Sequence, residues 1–428
     1  MINAILPNCD TRAMEGIIGS LGKRNIPIIG LSTHPGCSAF RSKYVIQRVM
    51  SPSPIDGERF LNFLIEAPFK GVLFAPDDHT AILFSENQER LAQTGFLINF
   101  PPITTLLTGF DKWRCHLEAS RLGIPCAFTR LIDGPEKLDD LSRSMDYPFI
   151  IKATTLAGGN YIKVYKPEEV PDAYIKMKEA ISRQENRVLN PKLIAQEWLD
   201  YDMEDIWCVE AYYDRYGTGK VFFPIKKIRT VIYRGGTFGS RLYAGESFPN
   251  EKIVDLTRTL LDGLEWKGLA HVDWVYSRNR SVYYLTEINP RLPGFSFFPS
   301  QAGFEMAYYY YADLTGGAMI CREVKPYLYF ESLRYPGDIS STLSAIFRRQ
   351  YSWKKLIKSY ARIFTEGKPI IIDFFNISDI RMTMANIVNI MRTMAKEMKQ
   401  IISKKRIRDH LEKVIDNGAN IVAAKNKK

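Results

Sequence analysis

The chain has 428 residues, with 58 Lys+Arg, 47 Asp+Glu, five His and six Cys, a length that predicts two or three domains at about 150 residues each. A composition 46% hydrophobic and 25% charged excludes wholesale disorder, and no apolar run approaches the roughly 18 residues a membrane-spanning helix needs. Of the net charge of +11, residues Ala345 to Lys428 carry +12 and the first 344 carry −1, so the basic character belongs to a tail and nucleic-acid binding is not expected of the body.

Met1 leads into a strand-like run, Ile2 to Leu6, without the basic and long apolar regions of a secretory signal. The six cysteines are scattered, with no CxxC pair and no zinc spacing. A reduced, cytoplasmic protein is expected. Thr11 to Asn25 has helical spacing through Met14, Ile17, Ile18 and Leu21, and Ile26 to Leu31 reads as a second strand. Asp56 to Glu66 is helical and Gly71 to Ala75 a further strand. Strands alternating with helices predict a doubly wound parallel sheet. No GxGxxG follows the first strand, so a dinucleotide site lacks its fingerprint. This segment ends near Pro101-Pro102.

From Asp111 the pattern changes. A helix over Lys112 to Leu122 stops at Gly123-Ile124-Pro125, and strands then dominate: Phe149 to Lys152, Tyr161 to Tyr165, Leu193 to Glu197, Ile206 to Tyr213, Val221 to Phe223, Leu269 to Tyr276 and Val282 to Ile288. Helices over Val170 to Gln184 and Asn250 to Leu264 interrupt them. That predicts an α+β region, followed after Pro336 by helices around Ile346 to Phe364 and Asp379 to Ile402 and a lysine-ended tail. The expected organisation is 1–110, 111–320 and a basic helical extension over 321–428.

The strongest constellation is His271-Val272-Asp273-Trp274-Val275 on one strand and Glu287-Ile288-Asn289-Pro290-Arg291 ending another. Alternation puts Glu287 and Asn289 on one face, with Asp273 on the probable neighbouring strand. Two carboxylates and an amide oxygen suit a hard cation such as Mg²⁺, and the planar fork of Arg291 beside them suits phosphate. The bland alternative is a strand end whose carboxylates are only solvated. Lys152 ends an apolar strand before Thr154 to Gly159, a small glycine-containing turn that can surround phosphates with backbone N–H groups. Gln196-Glu197-Trp198-Leu199, followed by Asp200, Asp202, Glu204 and Asp205, can read an adenine edge and accept from ribose hydroxyls, although acidic loops are usually just solvated.

The order of these features is Asp111-Lys112, Gly123-Ile124-Pro125, Lys152, Gly158-Gly159, Gln196 to Leu199, Asp273, then Glu287-x-Asn289-x-Arg291. In that order the sequence resembles the ATP-grasp superfamily, in the branch of carbamoyl-phosphate synthetase and biotin carboxylase, and it is similar to D-aspartate-ligase-like carboxylate–amine ligases. Residues 1–110, with Ser42-Lys43-Tyr44 and Ala75-Pro76-Asp77-Asp78, resemble the pre-ATP-grasp domain. The resemblance implies ATP and two Mg²⁺ (or Mn²⁺) ions as cofactors. Lys112 and Lys152 would contact phosphates beneath a loop containing Gly158 and Gly159. Glu197, Trp198 and Leu199 would sit at the adenine, and Glu204 (or Asp202) at the ribose. Asp273, Glu287 and Asn289 would hold the metals. Arg291 would face the transferred phosphate, with Lys227 and Arg229 on the substrate side. Asp77 could touch an acceptor substrate.

The activity implied is ATP-dependent amide formation from a small carboxylate and an amine through an acyl-phosphate, and no arrangement for nucleophilic catalysis competes with it. Carboxylation, carbamoyl-phosphate synthesis and a non-catalytic nucleotide-binding scaffold are the alternatives. No biotin-carrier motif is expected, and one ATP-grasp half stands where a carbamoyl-phosphate synthetase has two. Along 380–408, Ile380, Met384, Ile387, Val388, Met391, Met394, Met398 and Ile401 recur at helical steps, with Arg381, Arg392, Lys396 and Lys399 off that stripe and Lys404-Lys405-Arg406 and Arg408 after it. That helix either packs on the body or lies on an anionic membrane, at the inner face of the membrane. Oligomeric state is left open.

Overall fold

The computed structural model describes residues 1–9, 11–155, 161–182, 191–232, 238–319, 323–330, 346–347, 349, 351–372, 377–389 and 391–392. The first strands are β1 (Asn3–Leu6), β2 (Ile28–Ser32), β3 (Val45–Met50) and β4 (Gly71–Leu73), all parallel in the order β3-β2-β1-β4. β1 and β2 are buried on both sides, as their unbroken apolar runs require. The helix Arg12–Gly22 buries nearly its whole length beside them. β3 was not anticipated. It is an edge strand whose Ile46 and Met50 are exposed, and Gln47 and Arg48 break its apolar pattern.

A second sheet runs β5-β8-β6-β7, all antiparallel, from β5 (Thr129–Ile132), β6 (Phe149–Ala153), β7 (Tyr161–Val164) and β8 (Leu193–Glu197). The helix Val170–Ser182 covers it through Val170, Ala173 and Met177. The third sheet has seven strands in the order β13-β12-β9-β10-β11-β14-β15. They are β9 (Ile206–Tyr213), β10 (Gly219–Ile232), β11 (Phe238–Ser247), β12 (Gly268–Ser277), β13 (Val282–Asn289), β14 (Leu328–Phe330) and β15 (Ile370–Ile372). The extension expected to be helical therefore contributes two strands to the central sheet. Its helix starts later than the apolar spacing suggested, at Trp353–Thr365, because the Ser352 hydroxyl caps it by accepting from the Lys354 N–H at 3.2 Å.

The parallel sheet and the seven-stranded sheet share one core, in which Ala4, Leu6 and Phe74 join Tyr212, Phe223, Phe298, Tyr310 and Tyr329. Tyr310 pins the joint: its hydroxyl donates to the Leu73 carbonyl at 3.0 Å and accepts from the Asn99 N–H at 3.1 Å. Gly268 opens β12 with φ +77°, and a Cβ there would lie 2.2 Å from the Asn99 carbonyl oxygen. Only glycine allows that approach, which fixes where β12 and its polar residues begin. A second core, around Trp266, Trp274 and Leu285, fills the other face of β12. The Gly158-Gly159 turn, residues 233–237 of the expected substrate loop and residues 393–408 of the tail lie outside the described residues.

Candidate active site

Register assembles the site. Across β9 and β12, Cys208 faces Asp273 and Glu210 faces His271; across β12 and β13, Asp273 faces Glu287 and His271 faces Asn289. These six side chains share one face of three neighbouring strands. A bulge makes this compatible with the core. Trp274 pairs with Leu285 while Asp273 pairs with Glu287, so Thr286 is the extra residue. It lets Leu285 stay in the apolar core while Glu287 turns to the opposite face. The Thr286 hydroxyl donates to the Asp273 carbonyl at 2.9 Å, which locks the bulge.

Asp273 and Glu287 are like charges directly opposite each other, which by itself is destabilising. Cations offset it. Lys227, fully buried on β10, places Nζ 2.7 Å from Asp273 Oδ1. His271 Nε2 lies 3.1 Å from Asp273 Oδ2, and its Nδ1 lies 2.5 Å from Glu210 Oε1. Lys112 Nζ is 3.7 Å from Glu287 Oε2. Burial alone would discharge His271, but Glu210 and Asp273 outweigh it and hold the ring at about 10, an imidazolium bound on both sides. Burial would also raise the Asp273 carboxyl, yet Lys227 and His271 keep it far below the usual carboxylate range. Burial pushes Glu210 up, and its Oε2 has no hydrogen-bond partner.

The two lysines that act on Glu287, Lys112 and Lys152, come from other elements. Asp111 caps the helix Lys112–Arg121, accepting from the Trp113 and Arg114 N–H groups at 2.9 and 3.0 Å. The Lys112 N–H donates to the Thr154 carbonyl at 2.9 Å, tying that helix start to the turn after β6. Lys112 and Lys152 thereby both act on Glu287. Burial first, and the charge of Lys112 second, push Lys152 down to about 7.

Arg291, just past β13, pairs with Asp78 through one guanidinium edge, Nε donating to Oδ1 and Nη2 lying 3.3 Å from Oδ2. Its neighbour Asp77 instead caps the helix Asp78–Glu86, accepting from the Thr80 N–H at 2.9 Å and the Thr80 hydroxyl at 2.8 Å. The acid reaching across from the parallel-sheet side is therefore Asp78 rather than Asp77.

At the other end, β8 delivers Glu197, whose Oε2 accepts from the Phe128 N–H at 3.3 Å and whose Oε1 pairs with Arg280 of the β12–β13 turn. Trp198 is half-buried, with Lys163 Nζ 3.6 Å from its ring centre and Tyr161 and Tyr201 beside it. Leu199 is buried and Glu204 half-buried in the turn Met203–Asp205. Asp202 caps that turn and pairs with Lys355.

The structure brings Lys112, Lys152, Lys227, Asp273, Glu287, Asn289 and Arg291 to one region, but it separates Arg229. The pairing of β10 with β11 shifts between Lys227 and Arg229, so the two do not share a face. Arg229 Nη1 donates to the Ser359 hydroxyl at 2.6 Å and its guanidinium lies 4.4 Å from the Tyr360 ring centre. It anchors the helix Trp353–Thr365 instead of facing a substrate.

Sequence reasoning missed His271, Glu210, Asp78 and Arg280. His271 carried a signal, being two residues from Asp273 and so on its face; the other three depend on pairings across the chain. The all-oxygen donors of Glu287 and Asn289, half-buried at a strand end with Asp273 behind them, fit a hard cation. Among the described residues, the ligand atoms of Cys208, Glu210 and His271 also lie within 4.8 Å of one another. Both ring nitrogens of His271 are already engaged by carboxylates, so that cluster belongs to the ion-pair network.

No family model matches the chain. The carbamoyl phosphate synthase large chain of Thermus thermophilus is 23% identical over 244 residues, 56% of this chain; the match spans only 22% of that protein's length. Among solved structures, the biotin carboxylase domain of Hydrogenobacter thermophilus 2-oxoglutarate carboxylase, bound to MgADP, ADP and bicarbonate, aligns with TM-score 0.61 at 13% identity, covering 76% of this chain and 72% of that one. The L-amino acid ligase of Bacillus licheniformis aligns with TM-score 0.59 at 16% identity, covering 76% and 78%. N5-carboxyaminoimidazole synthetase of Staphylococcus aureus aligns with TM-score 0.58 at 13% identity, covering 82% and 86%. The fold is the ATP-grasp fold that the order of motifs implied.

Proposed function

We propose that the chain is an ATP-dependent ligase that joins a small-molecule carboxylate to an amine, releasing ADP and phosphate. The observation that carries this reading is the face of β9, β12 and β13 on which Asp273, Glu287 and Asn289 lie in register, ringed by Lys112, Lys152, Lys227 and Arg291. Glu287 and Asn289 would hold Mg²⁺ or Mn²⁺, two ions in all, with Asp273, which Lys227 and His271 orient, as the third residue of the set. Ions bound there would neutralise phosphate oxygens and polarise phosphorus.

The residues then divide the work. Lys112 and Lys152 contact the phosphates, and Glu197, Trp198 and Leu199 seat the adenine, with Glu204 at the ribose. Gly158 and Gly159 would lie over the phosphates, as the resemblance implies. Arg291, oriented by Asp78, faces the transferred phosphoryl group. A substrate carboxylate oxygen attacks the γ-phosphorus and the bond to ADP breaks, leaving an acyl-phosphate. The amine attacks its carbonyl carbon, phosphate departs, and the amine's proton passes to phosphate or water. Lys227 and Arg291 offset the charge that concentrates at the reacting oxygens.

The test is ADP release measured with Mg²⁺ across a panel of amino acids, small carboxylates and bicarbonate, each with and without an amine acceptor. Amine-dependent ADP release with amide product supports ligation. Bicarbonate-dependent release without amide would favour the carboxylating reading, and no release with any pair would favour a binding scaffold.

The reading includes a second contact, of residues 380–408 with an anionic membrane. No described helix is long and apolar enough to cross a membrane. What supports a peripheral contact is that Ile380, Met384, Val388 and Met391 are exposed while Met382, Thr383 and Asn386 are buried against the body.

A further inference from the structure

Among the described residues, ten of the twenty-one large apolar side chains that are exposed fall between Phe347 and Met391. The helix Trp353–Thr365 accounts for the most strongly exposed stripe. Trp353 is 50% exposed, Ile357 64% and Phe364 87%. At about 100° per residue these three fall within about 40° of arc. The rest of the helix surface holds the body: Ser359, on the far side, accepts from Arg229, Ile363 on the flank packs against Ile228, Ala244, Leu328 and Phe330, and Tyr360 at the edge of the stripe stacks on Phe330. The apolar stripe is therefore a surplus beyond what fixes the helix in place.

The charges are sorted in the same way. Lys355 pairs with Asp202, and Arg362 with Glu246 at 2.6 Å, both tying the helix to the sheet side. Lys354 and Lys358 are exposed and follow the apolar stripe around the helix by about 60 to 100° of arc. From Ala345 to Thr365 there are six basic residues and no acidic one. The helical residues 380–389 and 391–392 repeat the layout, with Arg381 and Arg392 flanking the stripe of Ile380, Met384 and Met391 on the corresponding side.

We infer that the outer face of the helix Trp353–Thr365, built from Trp353, Ile357 and Phe364 with Lys354 and Lys358 on its flank, is a docking surface for an anionic lipid membrane. An apolar stripe with aromatic residues bordered by lysines is what an interfacial helix requires: rings enter the headgroup–acyl boundary while ammonium groups meet lipid phosphates. Acid-free flanks give the face charge complementarity to such a surface. This extends the contact proposed for residues 380–408 to an element fixed directly on the seven-stranded sheet, and it does not depend on that contact.

The test is cosedimentation of the full chain with vesicles of phosphatidylglycerol and phosphatidylcholine, and with phosphatidylcholine alone, using ATP-dependent ADP formation as the check on the fold. Trp353→Glu/Ile357→Glu should weaken binding to the anionic vesicles by about tenfold or more and leave ADP formation unchanged. Lys354→Gln/Lys358→Gln should reduce binding at low salt only. Met384→Glu/Met391→Glu reads the 380–408 contact separately. If that pair abolishes binding while Trp353→Glu/Ile357→Glu binds like wild type, the inference falls and the 380–408 contact stands. No binding by wild type at low salt overturns it. So does a wild-type dimer that Trp353→Glu/Ile357→Glu converts to monomer, because the face would then meet a second copy of the chain.

Discussion

The two ends of the candidate site are built differently. At the end proposed for metal and phosphate, Lys227, Glu210, His271 and Asp273 are buried and joined in one chain of ion pairs. At the end proposed for adenine, Glu197 and Arg280 pair near solvent, and Trp198 is only half-buried. Charges that must meet a polyanion are held in place before it arrives, because reorganising them in a dry site is costly. Groups that recognise a flat base need little more than a platform and a backbone edge, and they can remain wet. Mutations should therefore be severe at one end and mild at the other.

The largest effect is expected for His271→Gln. It leaves Glu210 and Asp273 buried without their shared cation, which should lower stability by about 3–5 kcal/mol in denaturant unfolding. The wild-type advantage has a pH signature. His271 titrates near 10 in the fold and near 6.5 unfolded, so its contribution is complete below about 6.5 and is lost as pH rises through 10. A loss below about 1 kcal/mol, or one independent of pH, would contradict the ion-pair chain.

Asp78→Ala should come next. It removes the carboxylate that Arg291 grips through Nε and Nη2, at about 1.5–3 kcal/mol. It should also raise the nucleotide concentration needed for half-maximal ADP formation, since Arg291 loses its orientation. Asp77→Ala, by contrast, removes only a helix cap and should cost about 1 kcal/mol without touching turnover.

Lys152 supplies a subtler test. Burial and the charge of Lys112 hold it at about 7, and bound phosphates would raise that value, so nucleotide binding should take up a proton above pH 7. Affinity should then fall by up to about tenfold per pH unit, about 1.4 kcal/mol, between pH 7 and 9. Calorimetry in buffers of different ionisation enthalpy would read the proton directly, and Lys152→Ala should abolish the slope. The smallest effect is expected at the wet end, where Arg280→Ala breaks a half-exposed ion pair with Glu197 and should cost under about 1 kcal/mol.

What the amino-acid order revealed, and what it hid, follows the same division. Strands buried on both faces, such as β1 and β2, announce themselves as apolar runs. The candidate metal residues Glu287 and Asn289 were readable because they alternate at one strand end with Arg291 just beyond, and Asp273 lies on the strand before. Edge strands β3 and β15 were hidden, because their pattern is broken or their stretch is short. β10 was underestimated, because Lys226, Lys227 and Arg229 interrupt its apolar run, although its sheet partners β9 and β11 are its neighbours in the chain. Arg229 shows the limit most clearly. Alternation alone puts it on the face of Lys227, and only the local shift in pairing with β11 turns it toward Ser359. Asp78 reaches Arg291 over a separation of 213 positions, which no local spacing could signal.

The central claim is that Asp273, Glu287 and Asn289 form the metal-holding face of an ATP-using ligase. It is tested most directly by Mg²⁺-dependent ADP formation in Glu287→Gln, measured beside wild type with the unfolding midpoint of both. The substitution keeps the shape of a half-buried side chain and removes one charge from the cluster. The account expects the fold to survive and turnover to fall by about two orders of magnitude or more, a loss of at least about 2.7 kcal/mol of transition-state stabilisation, with a higher Mg²⁺ requirement. ADP formation at wild-type rate and wild-type Mg²⁺ dependence in that variant would contradict it.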